Sequence, residues 1–427
     1  MTVPIERSID LADAKKNIEH ILQESGVIWN IETTGRFVVT AKCTLYDKSG
    51  EYLDFGYGKG EFESAVVGAL FEASEHYFSR YERADNSNVV HKESLLFLKE
   101  SRLNNNLPIS IIGESPNGSF PLREYTPIGK SGTILYPVAL STPTYLDGLD
   151  EGLINNPLDT FNYKHLERYC TNSGVAIGSN ETEAIIHGLL ESIERDTLSA
   201  FLVNVYLYKD PQELRIVIPT TLPLILHELY LDVMREVEGD VDIYFLKNDY
   251  EIPVFCSSLR NSEFEIEITG YGCSLSKSHA LARSLYELVQ CYHASTAFHP
   301  ESVRLRDNNV LGSFKEHPFH EKCAKLKLFD QCNDIGSTAI DFDLVVDFAP
   351  PIETEEYLEF LVSIIDSKDR VAYSSNIYSD DRGSVVVHSF IEKQDHFFGV
   401  TEGCLVFSER MRLDHKPKSR EAYNNAN

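Results

Sequence analysis

The amino-acid sequence predicts an α+β protein. Segments rich in β-branched and aromatic residues recur along the chain and alternate with helical patterns, and no low-complexity linker separates one folding unit from another. With 427 residues the chain can bury a large core, either in one elaborate domain or in two closely packed ones.

Three segments carry clear helical signals. The first predicted helix runs from Leu11 to Ser25, with Asp10 as its N-cap and Gly26 ending it. Two further apolar patterns predict helices over residues 222–237 and 354–366.

Strand signals lie between these helices. A hairpin is predicted from residues 36–46 and 51–55, joined by a turn at Lys48, Ser49 and Gly50. Other predicted strands cover residues 241–246, 253–259, 264–269, 343–348 and 370–377. The proline- and asparagine-containing stretch from Asn104 to Lys130 predicts a surface excursion.

Composition excludes several classes of protein. Apolar residues make up 42% of the chain, and no apolar run approaches the ~20 residues that span a bilayer, so we expect no membrane association. The formal net charge of −27 opposes binding to nucleic acid. The first residues lack a secretion signal, and we therefore expect a cytoplasmic protein.

An internal repeat carries acidic residues in a constant register. In three segments, an alanine is followed seven residues later by a glutamate, and a glutamate or glutamine follows three residues further on. The three sets are Ala65, Glu72 and Glu75; Ala184, Glu191 and Glu194; and Ala280, Glu287 and Gln290.

The spacing places these carboxylates on helix faces. Offsets of four and three residues align Glu183, His187, Glu191 and Glu194 on one face of a helix that is otherwise almost wholly apolar. Buried carboxylates need cations, metal ions or protons, and oxygen ligands from several helices suit magnesium or calcium. The alternative, a solvated helix face, explains a single pair of glutamates better than three copies in register.

Each repeat follows a glycine-containing segment, at residues 56–60, 174–178 and 270–272. Glycines ahead of a helix allow backbone amides to approach an anion, so phosphate is a candidate ligand there. The alternative is that they form turns only, since none is a Walker A sequence. Lys59 is a candidate phosphate contact, and a solvated loop lysine is its alternative.

Together these segments resemble the three signatures of the YcaO family, in the family's order, over residues 58 to 294. The resemblance implies a YcaO-type fold, in which mixed β-sheets and three repeated carboxylate-bearing helices surround a nucleotide site. The matching stretches are residues 58–60 with 68–77, residues 171–178 with 183–196, and residues 270–272 with 280–290.

The same resemblance implies ATP and Mg²⁺ as cofactors and gives residues their roles. Arg195, Arg283 and Glu183 are assigned to the nucleotide, and Lys59 joins them as a candidate. The implied magnesium ligands are Glu72, Glu75, Glu183, Glu191, Glu194 and Glu287.

The sequence also departs from the family pattern. Gly68 replaces the usual serine, His76 the usual arginine, and Ser173 the asparagine of many members. The chain ends without the proline-rich tail of many azoline-forming members. We expect an N-terminal helix and hairpin over residues 1–50 within the same domain, the catalytic domain over residues 51–413, and a polar tail over residues 414–427.

The resemblance implies ATP-dependent O-phosphorylation of a peptide backbone amide, installing an azoline or thioamide in a ribosomally synthesised peptide. It also implies a homodimer and, since no ubiquitin-activating-like domain precedes the signatures, a separate leader-binding or sulfur-transfer partner. Two alternatives remain: a non-catalytic module that recruits a precursor peptide, and an ATP-dependent accessory factor that acts on a folded protein.

Overall fold

The computed structural model describes residues 5–142, 144–260 and 263–413. It confirms the α+β class, with strands and helices interleaved along the chain. The predicted polar tail, residues 414–427, lies outside the described residues.

The strands are short, and most pair antiparallel. They are β1 (Ile28–Thr34), β2 (Val39–Tyr46), β3 (Tyr52–Gly60), β4 (Val89–Glu93), β5 (Ser119–Pro127), β6 (Ile134–Pro137), β7 (Val175–Gly178), β8 (Arg215–Val217), β9 (Val241–Leu246), β10 (Val254–Leu259), β11 (Thr269–Cys273), β12 (Thr338–Ile340), β13 (Ala372–Ser379) and β14 (Val385–Ile391).

The helices differ widely in length, and the longest is the seventh. They are α1 (Leu11–Glu24), α2 (Phe62–Phe78), α3 (Ser94–Glu100), α4 (Leu107–Ile111), α5 (Val138–Ser141), α6 (Thr144–Asp150), α7 (Glu181–Leu202), α8 (Leu224–Glu236), α9 (Lys277–His293), α10 (Pro300–Ser313), α11 (Pro318–Lys325), α12 (Leu328–Ile335), α13 (Thr354–Asp366) and α14 (Glu409–Leu413). Short π-helical segments, Val203–Leu207 and Ala294–Phe298, continue α7 and α9.

Three sheets organise these elements. The strand orders are β1-β2-β3, β11-β10-β9-β8-β12 and β4-β5-β13-β14-β7, with β6 added beside β5. The strand that precedes each repeat helix, namely β3, β11 or β7, is the last strand of its sheet. Each repeat is therefore one β–α unit at the edge of a separate sheet.

The motif glycines allow each helix to lie directly on its own strand. A Cβ added to Gly58 would lie 1.9 Å from the Ala65 carbonyl oxygen, and one on Gly272 would lie 2.1 Å from that of Ala280. The same close contact joins Gly178 to the backbone of α7. These glycines and the repeat alanines are thus the two halves of a tight strand–helix contact, which explains their constant spacing.

The three units form a closed ring. Beyond its own strand, α2 packs against β7, α7 packs against β11, and α9 packs against β3. Each helix therefore bridges its own sheet edge and the next one. This arrangement turns the acidic faces of α2, α7 and α9 towards a common centre.

Several sequence predictions match the structure closely. Helix α13 has the predicted bounds, α8 is shorter than its prediction by a few residues, and β2 and β3 form the predicted hairpin. The Asp10 side chain caps α1, as predicted, by accepting hydrogen bonds from the Ala12 and Asp13 amides at 3.0 Å.

Two predicted strands are wrong. Residues 264–268 are irregular, and the strand begins only at Thr269, because the Glu267 amide donates to the Lys325 carbonyl oxygen rather than pairing in a ladder. Residues 343–348 begin in a 3-10 turn and have no strand partner among the described residues.

The predicted surface excursion over residues 104–130 is also wrong. It contains α4 and then β5, which pairs with β4, β6 and β13. Phe120, Leu122 and Tyr125 on β5 are completely buried. The polar residues that suggested a loop flank a core strand.

No helix within the described residues is both long enough and apolar enough to cross a membrane.

Candidate nucleotide and magnesium site

Five of the six predicted metal carboxylates lie together at the centre of the ring. The structure places Glu72 and Glu75 on α2, Glu191 and Glu194 on α7, and Glu287 on α9. We call these five residues the carboxylate cluster. They lie close enough for the charge of one to shift the pKa of another, as Glu191 does for Glu75 and Glu287 does for Glu194.

The repeat register gives three of these glutamates an equivalent position. Glu191 accepts a hydrogen bond from the Gly174 amide at 3.3 Å, and Glu287 accepts one from the Tyr271 amide at 3.1 Å. The Tyr57 amide makes the same hydrogen bond to Glu72, where it opposes only in part the rise in pKa that burial causes. Each glutamate thus fixes its own strand–helix unit with one carboxylate oxygen. The second oxygen of Glu191 lies near Arg195, and that of Glu287 pairs with Lys59.

The second glutamates reach further across the ring. Glu75 on α2 accepts a hydrogen bond from the Ile177 amide of β7 at 2.9 Å. Glu194 is only 8% exposed. Glu75 therefore joins two adjacent units, and Glu194 lies near Glu287 and Arg283 of α9; no argument from a single repeat could predict either.

Burial and mutual repulsion keep protons on part of the cluster. Burial raises the pKa of Glu75 to about 8 and that of Glu194 to about 7, and a neighbouring carboxylate adds to each shift. Burial also raises the pKa of Glu72 and Glu191. Burial also acts to raise the pKa of Glu287, but the Lys59 ammonium, the Tyr271 amide and Arg195 together outweigh it and lower that pKa. The cluster therefore holds more carboxylates than its cations neutralise.

Three predicted cations surround the cluster. Lys59 pairs with Glu287 at close range. The Arg195 guanidinium lies 3.6 Å from Glu191 and stacks on the Phe398 ring, 5.1 Å from its centroid. Arg283 reaches a carboxylate that the sequence analysis did not consider, that of Glu6.

Glu183 lies apart from the cluster, at the N-terminus of α7. It is 2% exposed, and its amide is capped by the Asn180 side chain at 2.8 Å. Its carboxylate accepts hydrogen bonds from Arg7 at 3.1 Å, from Ser8 at 3.0 Å and from the Ser179 amide at 3.3 Å. The hydrogen-bonding capacity of the Glu183 carboxylate is therefore met by nearby protein donors, and the residue is separate from the five acidic residues of the cluster.

Glu6, Arg7 and Ser8 could not be predicted as site residues from the sequence. They come before the first helix and belong to no motif, so only the tertiary structure brings them to the site. His76 stands where the family usually has arginine. Burial acts to lower its pKa, but Asp54, Glu72 and Glu75 outweigh burial and raise that pKa to about 9. His76 therefore supplies the positive charge that an arginine would bring.

The donor set fits a nucleotide with divalent cations. In the part of the chain that the structure describes, Arg195 Nε, Arg283 Nε and Ser179 Oγ are buried without a hydrogen-bond partner. Unpaired buried donors are costly and mark places where a ligand acceptor fits. Once they lose their protons, the carboxylates are oxygen ligands of the kind that Mg²⁺ prefers.

The side chains are not arranged as a finished metal site. Among residues 5–142, 144–260 and 263–413, no three histidine, cysteine or acidic side chains converge on a single point where they could hold one ion. Backbone amides, Lys59 and the arginines already occupy part of the carboxylate oxygens. Coordination would require these side chains to exchange partners.

Several solved structures share the fold of this chain. A YcaO protein from Methanopyrus kandleri, bound with AMPPCP and Mg²⁺, has a TM-score of 0.63 at 16% identity over 92% of this chain and 94% of its own. A heterocyclase in complex with substrate and cofactor has a TM-score of 0.61 at 15% identity; the match covers 93% of this chain but only 54% of the heterocyclase. The Escherichia coli microcin synthetase McbBCD complex contains a chain with a TM-score of 0.52 at 14% identity, with 85% and 86% of the two chains covered.

At these identities the similarity establishes the fold class alone. A comparison with individual curated proteins found no match. The family model of the YcaO cyclodehydratases, described as ATP- and Mg²⁺-binding, matches residues 56–392, which is more than half of the chain. The protein therefore belongs to the YcaO family, a family of ATP-dependent enzymes that use Mg²⁺.

Proposed function

We propose that this enzyme uses ATP and Mg²⁺ to phosphorylate the oxygen of a peptide backbone amide, so that an azoline or a thioamide forms in a ribosomally synthesised peptide. The carboxylate cluster at the centre of the ring is the observation that carries the proposal. The phosphates of a nucleoside triphosphate would accept hydrogen bonds from the buried donors of Arg195 and Arg283, and its bound cations would neutralise the carboxylate cluster.

The reaction converts a poor leaving oxygen into a good one. A thiol, hydroxyl or sulfide adds to the amide carbon, and the carbonyl oxygen gains a negative charge. That oxygen forms a bond to the γ-phosphorus of ATP, and ADP leaves. The C–O bond then breaks, phosphate leaves with the electron pair, and loss of a proton from nitrogen or sulfur yields the C=N or C=S bond.

The residues of the chain have distinct parts in this scheme. Arg195 and Arg283 would orient the phosphates, and Lys59 would stabilise charge near Glu287. The magnesium ligands would be Glu72, Glu75, Glu183, Glu191, Glu194 and Glu287. Mg²⁺ would supply charge neutralisation at the phosphates, so that catalysis needs no nucleophile from the protein.

The substrate and partners follow from the same proposal. A heterocyclase with substrate and a multi-protein microcin synthetase are among the structures of similar fold. We therefore infer a peptide substrate, delivered by a separate leader-binding or sulfur-transfer partner, and a homodimeric enzyme. Sedimentation of the purified protein, with and without candidate partners, tests the assembly.

Peptide-dependent turnover tests the proposed chemistry. Incubating the enzyme with ATP, Mg²⁺ and a cysteine-containing precursor, together with its neighbouring gene products, should yield ADP and a peptide that has lost the mass of one water molecule. A gain of sulfur in place of oxygen would identify a thioamide instead. Nucleotide turnover that responds to a folded protein but to no peptide would favour the accessory-factor alternative and overturn the peptide assignment.

A further inference from the structure

The acidic face of α7 also carries a histidine to which the proposed function gives no role. His187 lies one helical turn after Glu183 and one turn before Glu191, so the three side chains share one face of the helix. The His187 side chain is partly exposed, whereas Ile186 and Leu189 on the same helix are completely buried. His187 therefore faces the space between the three strand–helix units rather than the packed core.

The charged groups that act on His187 are mainly cations, and they keep its imidazole neutral. Burial lowers the pKa of His187 well below its ordinary value, and Arg283, Arg7, Lys59 and His279 lower it further. These four groups come from α9, from β3 and from the segment before α1. A neutral imidazole has one ring nitrogen that can accept a proton.

The protein leaves that accepting nitrogen free. Within the part of the chain that the structure describes, neither ring nitrogen of His187 makes a hydrogen bond or an ion pair. The other histidines near the site are engaged. His76 Nδ1 lies 2.8 Å from the Phe55 carbonyl oxygen, and its pKa of about 9 keeps it charged at neutral pH. His279 Nε2 lies 3.8 Å from Glu6 Oε2.

The proposed reaction requires a base at this place. A thiol or hydroxyl that adds to the amide carbon must lose its proton, and the phosphate that leaves later must gain one. The carboxylate cluster is assigned to Mg²⁺, and Lys59, Arg195 and Arg283 are cationic. None of these groups can take up the proton while it holds its ligand, whereas a neutral and unengaged imidazole can.

We propose that His187 is the general base, and then the general acid, of azoline formation; this inference rests on the proposed function. As the S–C or O–C bond forms, the S–H or O–H proton moves to the free nitrogen of His187, and an electron pair of the C=O bond moves to oxygen. After phosphorylation, the C–O bond breaks and His187 returns the proton to the departing phosphate. The amide nitrogen supplies the electron pair of the new C=N bond and loses its own proton to solvent.

A histidine variant that small molecules can rescue tests this role. Proton transfer by a positioned side chain contributes about 10²–10⁴-fold, so His187→Ala should convert a cysteine-containing precursor more slowly by about that factor in a single turnover. Added imidazole should restore much of the rate. His165→Ala, which alters an exposed histidine of a short 3-10 turn, is the matched control and should convert the peptide at the normal rate. A slow His187→Ala enzyme that imidazole does not rescue would overturn the proposal.

Nucleotide binding separates this inference from the proposed function. Calorimetric titration with AMPPCP and Mg²⁺ should give the same affinity for His187→Ala, His165→Ala and the unmodified protein. Loss of binding in His187→Ala alone would make His187 a contact of the nucleotide and overturn its role as a base. Loss of binding in all three proteins would refute the proposed function as well.

A chemical measurement on the unmodified protein requires neither a variant nor a peptide. Diethyl pyrocarbonate acylates neutral, accessible imidazoles, and peptide mass spectrometry locates each modified histidine. At neutral pH His187 should be modified, and AMPPCP with Mg²⁺ should slow that reaction but not the modification of His165. If His165 is modified and His187 is not, the His187 nitrogen is blocked or charged, and the inference is wrong.

Discussion

At the scale of single residues, His76 shows how a departure from the family pattern is compensated. Its ring lies 2.8 Å from the Phe55 carbonyl oxygen and 3.7 Å from Asp54. The surrounding carboxylates raise its pKa to about 9 even though burial acts in the opposite direction. The position therefore retains a positive charge with a side chain different from the usual arginine.

This charge predicts a pH-dependent contribution to stability. A histidine with a raised pKa stabilises the folded state fully below its ordinary pKa of 6.5, and that contribution disappears as the pH rises through about 9. Replacing His76 with glutamine should therefore lower the free energy of unfolding by about 1 kcal/mol at pH 6 and have little effect above pH ~9. Denaturant unfolding across this range, with His20→Gln on α1 as control, measures the difference. An effect independent of pH would show that the role of His76 is packing.

The raised pKa values in the carboxylate cluster predict proton release on ligand binding. Glu75, with a pKa of about 8, and Glu194, with a pKa of about 7, keep protons that the unfolded chain loses near 4.5. The ligand-free protein should therefore lose stability as the pH rises from about 4.5 to 8, whereas Mg–nucleotide affinity should increase because the cation displaces those protons.

Calorimetry at pH 7 in buffers of different ionisation enthalpy measures these protons directly. We expect a net release on binding of AMPPCP with Mg²⁺, reduced in Glu75→Gln. Binding with no proton exchange in either protein would show that these carboxyl groups are already ionised or do not meet the ligand.

At the scale of secondary-structure elements, the helices were more predictable than the strands. The apolar period of α13 and the cap of α1 are local signals, so their positions follow from sequence. The strands β3, β7 and β11 contain or end in glycine, a residue that is depleted in strands. The sequence therefore predicts turns at these glycines, with phosphate as a candidate ligand, whereas in the structure they make close contact with a helix on the same chain.

The strand–helix contact predicts a steep cost for a single methyl group. Gly272→Ala would place a Cβ 2.1 Å from the backbone oxygen of Ala280, which cannot move without separating α9 from β11. We expect a loss of 3 kcal/mol or more in the free energy of unfolding, at the upper end of the ~1–3 kcal/mol that overpacking usually costs.

The matched control for that variant is Gly312→Ala. Gly312 lies in α10 with no atom within 4 Å of an added Cβ, so alanine should be neutral or stabilise by up to about 1 kcal/mol. Equal effects of the two substitutions on the denaturant midpoint would refute the packing role of the motif glycines.

At the scale of the whole molecule, the ring explains why the site could be predicted only in part. The repeat register indicated which glutamates belong together, and the structure brings five of them to one centre. Two other contacts depend on the meeting of separate sheet edges: Glu75 reaches β7, and Lys59 pairs with Glu287. A third depends on the segment before α1, from which Arg7 and Ser8 reach Glu183. Such contacts join residues far apart in sequence, and no local pattern encodes them.

A ligand at the centre of the ring should stabilise the entire fold, because it bonds to all three units at once. At a ligand concentration one hundred times the Kd, linkage predicts a gain of about 2.7 kcal/mol. Thermal unfolding should show one transition that moves upward with AMPPCP and Mg²⁺ together and little with either alone. A shift confined to part of a multiphasic transition would contradict a site shared by all three units.

The central claim is that the carboxylate cluster binds Mg–ATP, and calorimetric titration of AMPPCP with and without Mg²⁺ tests it most directly. The unmodified protein and Glu181→Gln, altered at an exposed residue of α7, should bind in a magnesium-dependent manner. Glu191→Gln and Glu194→Gln should fold normally and lose that binding. Normal magnesium-dependent binding by both cluster variants would contradict the account.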